Sequence, residues 1–239
     1  MMRRLLWKEW RENQWKLGFC AGVSLAFTAL LFRLRIFPDL QNAFIISLIQ
    51  MIVVPVVFAL DLFSGEMSNR TIHLLFKLPV PRWKIFFAKY LVAAAGLVLT
   101  FLITSAAMEL LARGRETWLG MLILANSLPG LCALLLMTWF CLFGCQSRSE
   151  AGSLVAIFGV MTGWAIVMLW SRLCEVEWVM PLTPYTLAYA SLAVGDYDFA
   201  WANWLDGMNW AQILLSQIVT ASIVLSLACY RFVKVRRYL

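Results

Sequence analysis

Phe63-Ser-Gly-Glu-Met-Ser-Asn-Arg-Thr-Ile-His-Leu-Leu-Phe-Lys-Leu-Pro-Val-Pro-Arg-Trp-Lys-Ile-Phe-Phe-Ala-Lys89 interrupts two long apolar runs with six charges: Glu66, Arg70, Lys77, Arg82, Lys84 and Lys89. Ser64 or Ser68 can cap a helix in which Ile72, Leu75 and Phe76 recur at helical spacing while Arg70, His73 and Lys77 stay polar. Leu78-Pro79 ends it, because proline disfavours a helical residue before it. The expected product is a short, stiff helix outside the hydrocarbon, between two membrane spans.

The composition around this segment fixes the class. With 62% hydrophobic and only 14% charged residues among 239, the chain is too apolar for a soluble domain. Six runs are long enough to cross a core about 30 Å thick: Leu17 to Phe32, Ala43 to Phe63, Phe86 to Leu111, Trp118 to Phe143, Leu154 to Trp170 and Ile213 to Phe232. Pro55 should bend the second, and Pro129-Gly130 should kink the fourth. The fold class read from this pattern is an all-α membrane protein with six transmembrane helices in a single domain, 1–239.

Orientation follows from the basic residues. An N-terminus inside places 15 of the 20 on the cytoplasmic side and leaves Arg33, Arg35, Arg113, Arg115 and Arg172 outside. Both termini are then cytoplasmic, the expected site is the cytoplasmic membrane, and the net charge of +7 answers to anionic lipid rather than to nucleic acid. Met2 to Lys16 reads as an amphipathic interfacial helix, with Leu6, Trp7, Trp10 and Leu17 toward lipid and Arg4, Lys8, Arg11 and Glu12 toward water. A signal peptide fits worse, since the basic part contains Glu9 and Glu12 and no small-x-small cleavage site follows the apolar run.

Several function classes lose support. No G-x-x-x-x-G-K-[ST] phosphate loop and no G-x-S-x-G turn occurs, and the single His73 rules out H-E-x-x-H. Asp61 and Glu109 are the only acids within the spans, both near span ends, where interfacial solvation explains them better than a proton relay. Cys141 and Cys145 share a helical face and could serve a soft metal, but buried thiols are ordinary apolar packing. The chain is therefore expected to be no enzyme and to hold no cofactor of its own, and energy for any work must come from another chain.

The opening segment resembles the loop after the second span in permeases of type-2 ABC exporters. Phe63 to Glu66, Arg70-Thr71, Leu74-Leu75, Leu78-Pro79-Val80-Pro81-Arg82 and Lys89 follow that family's F-x-x-E, G-T, L-L, L-P-V-S-R and Lys in register over about 27 residues. Two positions depart: Arg70 stands for the usual glycine and Pro81 for the usual small residue. The resemblance implies that 64–84 is a cytoplasmic coupling segment whose helix is seated in a groove of a separate ATPase subunit. Glu66, Arg70, Ile72, Leu75, Lys77 and Arg82 are then the candidate docking residues. It implies two ATPase copies that bind ATP and Mg, and a second permease subunit, as homodimer or heterodimer. The outer segment 171–210 would carry short re-entrant helices.

Within the spans, Gly159 and Gly163 form a G-x-x-x-G pattern that permits close helix packing, within the subunit or across a dimer. Asn42, Ser47, Gln50, Ser153, Thr162 and Ser171 could face a central pathway otherwise lined by Met51, Phe158, Met161 and Trp164, or could equally be packing. The resemblance thus implies an ATP-driven exporter permease working by alternating access, with membrane lipid as its surroundings. The alternative is a non-transporting membrane scaffold that holds a cytosolic partner through the same loop.

Overall fold

The structure is a computed structural model that describes residues 2–34, 38–60, 62, 80–112, 119–145, 149–174, 176–188 and 210–234. Among the described residues, six helices are each long and apolar enough to cross a membrane: α1 (Met2–Leu34), α2 (Asp39–Leu60), α3 (Arg82–Ala112), α4 (Leu119–Gly144), α5 (Glu150–Leu173) and α6 (Trp210–Lys234). A 3-10 helix, Glu177–Leu182, follows α5, and no strand occurs among the described residues. This is the all-α, six-span membrane architecture expected from the apolar runs.

α1 is one unbroken helix of 33 residues, about 50 Å at 1.5 Å per residue. The N-terminal amphipathic helix and the first span are therefore continuous, with no turn at Lys16. Its buried line runs Leu5, Glu9, Lys16, Cys20, Ser24, Thr28 and Leu31, spaced by three, four or seven residues. That spacing keeps one stripe against α3 along the length of both helices. Arg4, Lys8, Arg11, Glu12 and Trp7 are exposed, as their polar and interfacial character predicts.

Small residues set how closely the helices approach, because lipid supplies no hydrophobic drive between spans. A Cβ added at Gly96 of α3 would fall 2.5 Å from Phe58 Cε1 of α2, so only glycine admits that ring against the α3 backbone. Phe58, Phe86, Leu97, Leu136, Met137 and Phe140 form the fully buried centre. α2 lies mainly along α4, and both helices continue through Pro55 and Pro129. α5 is the most exposed span together with α6, each with 22% of its apolar window buried.

Two tertiary hydrogen bonds fix the relation of the ends. Lys89 at the start of α3 meets Glu9 near the start of α1, and Arg82 meets Val233 at the end of α6. The beginning of α1, the beginning of α3 and the end of α6 thus share one face of the bundle.

Candidate functional site

The charged segment that opened the sequence reading leads straight into α3. Glu66, Arg70, Ile72, Leu75 and Lys77 lie outside the described residues; Arg82 is the first residue of α3. Pro81 stands just before the helix and its carbonyl accepts from the Lys84 amide at 2.9 Å, closing the first turn. The missing N–H of proline costs nothing at a helix start. The departure Pro81 therefore fits the local geometry.

The first turns of α3 are held on both sides. Arg82 Nη1 donates to the Val233 carbonyl at 3.3 Å, and the Phe86 ring meets Phe232 of α6 with centroids 5.6 Å apart. On the other side Lys89 Nζ donates to Glu9 Oε2 at 3.0 Å, with the side chains 5% and 1% exposed. Lys8 Nζ lies 3.7 Å from the other Glu9 oxygen and 3.3 Å from Glu12. A buried ion pair survives only where good geometry offsets the desolvation of both charges. Lys89 belongs to the segment's motif, yet its partner escaped the sequence reading. The available signal was Glu9 itself, an acid in register with Leu5, Lys16 and Cys20 on a packed stripe.

The pathway candidates separate into two groups. Asn42, Ser47 and Gln50 are buried in α2, where Ser47 Oγ lies 2.8 Å from Asn126 Oδ1 and Gln50 Nε2 donates to Thr104 Oγ1 at 2.6 Å. Asn126 of α4 donates in turn to the Phe101 carbonyl at 2.9 Å and to Ser105 Oγ at 2.5 Å, so one polar seam joins α2, α3 and α4. Met51 is buried beside it. Phe158, Gly159, Thr162 and Gly163 instead lie on the exposed face of α5, and Met161 is half-buried. A Cβ at Gly159 or Gly163 would meet nothing within 4 Å. Those glycines line a groove of about 470 Å³ with Ala156, Val160, Trp164 and Val167 of α5 and, from α4, Trp139 and Phe143. Trp139 meets Trp164 edge-on at 5.1 Å.

At the opposite face the chain after α5 is fastened to α6. Gln217 Nε2 donates to the carbonyls of Pro181 at 2.6 Å and Thr183 at 2.8 Å, and Ser216 Oγ donates to Pro181 at 2.8 Å. Ser171 Oγ contacts Met180 Sδ at 3.1 Å, and Tyr185 OH donates to the Met161 carbonyl halfway along α5 at 3.2 Å. Met161 precedes Ser171 by ten residues, or about 15 Å of helix. The segment through Tyr185 therefore descends along α5. Residues 189–209 of the segment expected to carry re-entrant helices lie outside the described residues.

All six cysteines are free thiols, and Cys141 and Cys145 are buried on α4 and its C-terminal turn. Among the described residues no group of three His, Cys, Asp or Glu side chains gathers as a metal site would require.

Six packed spans with braced helix ends define a multi-pass membrane protein. The sequence profile described as "ABC-2 family transporter protein" matches residues 13–194, and the chain belongs to that family. The match starts within α1 and runs past the 3-10 helix, so it covers both the α3 start and the α5 groove. The family implies association with an ABC ATPase. No curated protein matches the chain.

Proposed function

We propose that this chain is the permease subunit of an ATP-driven exporter in the cytoplasmic membrane, with both termini in the cytoplasm. Two ATPase subunits that bind ATP and Mg dock on 64–84, through Glu66, Arg70, Ile72, Leu75, Lys77 and Arg82. Two permease subunits, as homodimer or heterodimer, form the pathway and carry substrate by alternating access.

The observation that carries this reading is the double bracing of α3 where the docking segment joins it. Lys89 bonds α1 and Arg82 bonds α6, so a displacement delivered to the start of α3 acts on three helices together. An exposed loop without such bracing would dissipate the same motion. The positive-inside bias supports a cytoplasmic setting for this face.

The test is affinity purification of the tagged chain from native membranes in mild detergent. Stoichiometric recovery of a phosphate-loop ATPase, lost on Glu66→Arg, is the expected result. Recovery of no nucleotide-binding protein overturns the reading.

A further inference from the structure

A groove of about 710 Å³ opens where the first three turns of α1 lean on α3. Its walls are Arg3, Arg4, Leu6, Trp7, Trp10 and Val92. Arg3, Leu6, Trp7 and Trp10 recur at spacings of three, four and seven, so one face of α1 supplies them, with Arg4 at its border. We infer that this groove is a binding site for an anionic phospholipid, whose phosphate is held by Arg3 and Arg4 and whose glycerol and upper acyl carbons lie against the two indoles, Leu6 and Val92.

Charge balance argues for an anion. The acids on this part of α1 are already engaged: Glu9 with Lys89 and Lys8, and Glu12 with Lys8. The described ion pairs leave both guanidiniums outside them, and both side chains are exposed. Guanidinium groups present paired donors that match phosphate oxygens and stay charged at every relevant pH.

The apolar walls argue for a lipid rather than an acidic protein segment or free phosphate. Trp7 is 67% exposed and Trp10 is half-buried, and indoles prefer the level of the headgroups, where an apolar ring and a polar N–H are both served. Val92 lies one turn deeper along α3 than Lys89, so the groove passes from the charged boundary into the hydrocarbon. Basic pockets between helices at such a boundary suit anionic headgroups. The site is independent of which ATPase the chain binds or what it carries.

The test uses the full chain, purified in detergent with whatever subunits accompany it, and native mass spectrometry after exposure to phosphatidylglycerol or phosphatidylcholine. The wild type should retain phosphatidylglycerol in preference to phosphatidylcholine. Arg3→Gln with Arg4→Gln should cut that preference by roughly ten- to thirty-fold, at about a factor of five per basic side chain. Arg11→Gln, an exposed base of the same helix outside the groove, should leave it intact. Both groove arginines are exposed, and unchanged helical circular dichroism confirms that the double variant folds. Equal retention of the two lipids by the wild type, an undiminished preference in the double variant, an equal loss in Arg11→Gln, or displacement of the lipid by inorganic phosphate would each overturn the inference.

Discussion

Lys89 Nζ sits 3.0 Å from Glu9 Oε2 across 80 positions of sequence, joining the first turns of α1 to those of α3. With 1% and 5% exposure the pair is shielded, so it behaves as one unit rather than as two solvated charges. Removing one partner of so shielded a pair costs about 3–5 kcal/mol, with the loss of Lys89 at the lower end because Lys8 Nζ still lies 3.7 Å from Glu9 Oε1. Replacing both by apolar groups of similar volume removes the desolvation penalty together with the attraction.

Glu9→Ala and Lys89→Met should each lower the stability of the detergent-solubilised chain by about that amount, and the double replacement Glu9→Leu with Lys89→Met should recover most of it. Titration with a denaturing detergent, followed by circular dichroism, reads the three midpoints. Single variants as stable as the wild type would refute the strut.

Gly96 is a second point where α3 has no slack. An added Cβ falls 2.5 Å from Phe58 Cε1, inside any allowed contact. Gly96→Ala should destabilise by about 1–3 kcal/mol through overpacking, and Phe58→Leu in the same chain should restore part of the loss. A Gly96→Ala variant that melts with the wild type would show that the ring swings away freely.

The polar seam offers a smaller effect. Asn126→Leu removes the contacts to Ser47, Phe101 and Ser105, and interhelical hydrogen bonds in membranes average about 0.6 kcal/mol each. A loss of about 1–2 kcal/mol is expected, with Ser47→Ala costing less because its hydroxyl also lies 2.7 Å from the Ala43 carbonyl of its own helix. The same denaturing-detergent titration measures both, and a larger loss in Ser47→Ala would contradict the ranking.

Much of this architecture is legible in the sequence. The six apolar runs each became a helix, although α3 begins at Arg82 rather than Phe86 and α2 at Asp39 rather than Ala43. Hydropathy marks where lipid begins, whereas a helix continues until its backbone bonds end. The direction of a polar residue was beyond reach. Gln50 and Thr162 look alike in an apolar run, yet one is buried against Thr104 and the other is exposed on α5. Helical phase alone cannot say which neighbour occupies a face. The Glu9 to Lys89 contact was hidden for the same reason, since it depends on α1 continuing as one helix through Lys16.

The fastening of the segment after α5 to α6 should control local opening. Gln217→Leu deletes two hydrogen bonds to Pro181 and Thr183 while keeping an apolar side chain of similar length. Amides in 180–187 should then exchange faster by hydrogen–deuterium exchange, while those of α3 keep their protection. Uniform acceleration throughout the chain would instead point to global destabilisation.

Gly159 and Gly163 lie in an open groove, with nothing in the described chain within 4 Å of an added Cβ. Gly163→Leu should therefore change the stability of the separated chain by no more than about 0.5 kcal/mol, as surface substitutions do. In the proposed dimer the expectation reverses. Ala156, Gly159, Gly163 and Val167 follow one another at spacings of three and four, a stripe along which a second helix can approach closely. Leucine there would hold that helix away. With the exposed Cys174 replaced by serine, Phe158→Cys supplies a reporter thiol on the same exposed face. A short bifunctional thiol reagent in native membranes should then yield a cross-linked pair that Gly163→Leu abolishes. Undiminished cross-linking in Gly163→Leu would move the subunit contact off this stripe, and a large loss of stability in the separated chain would show that α5 packs more tightly within the subunit than its exposure indicates.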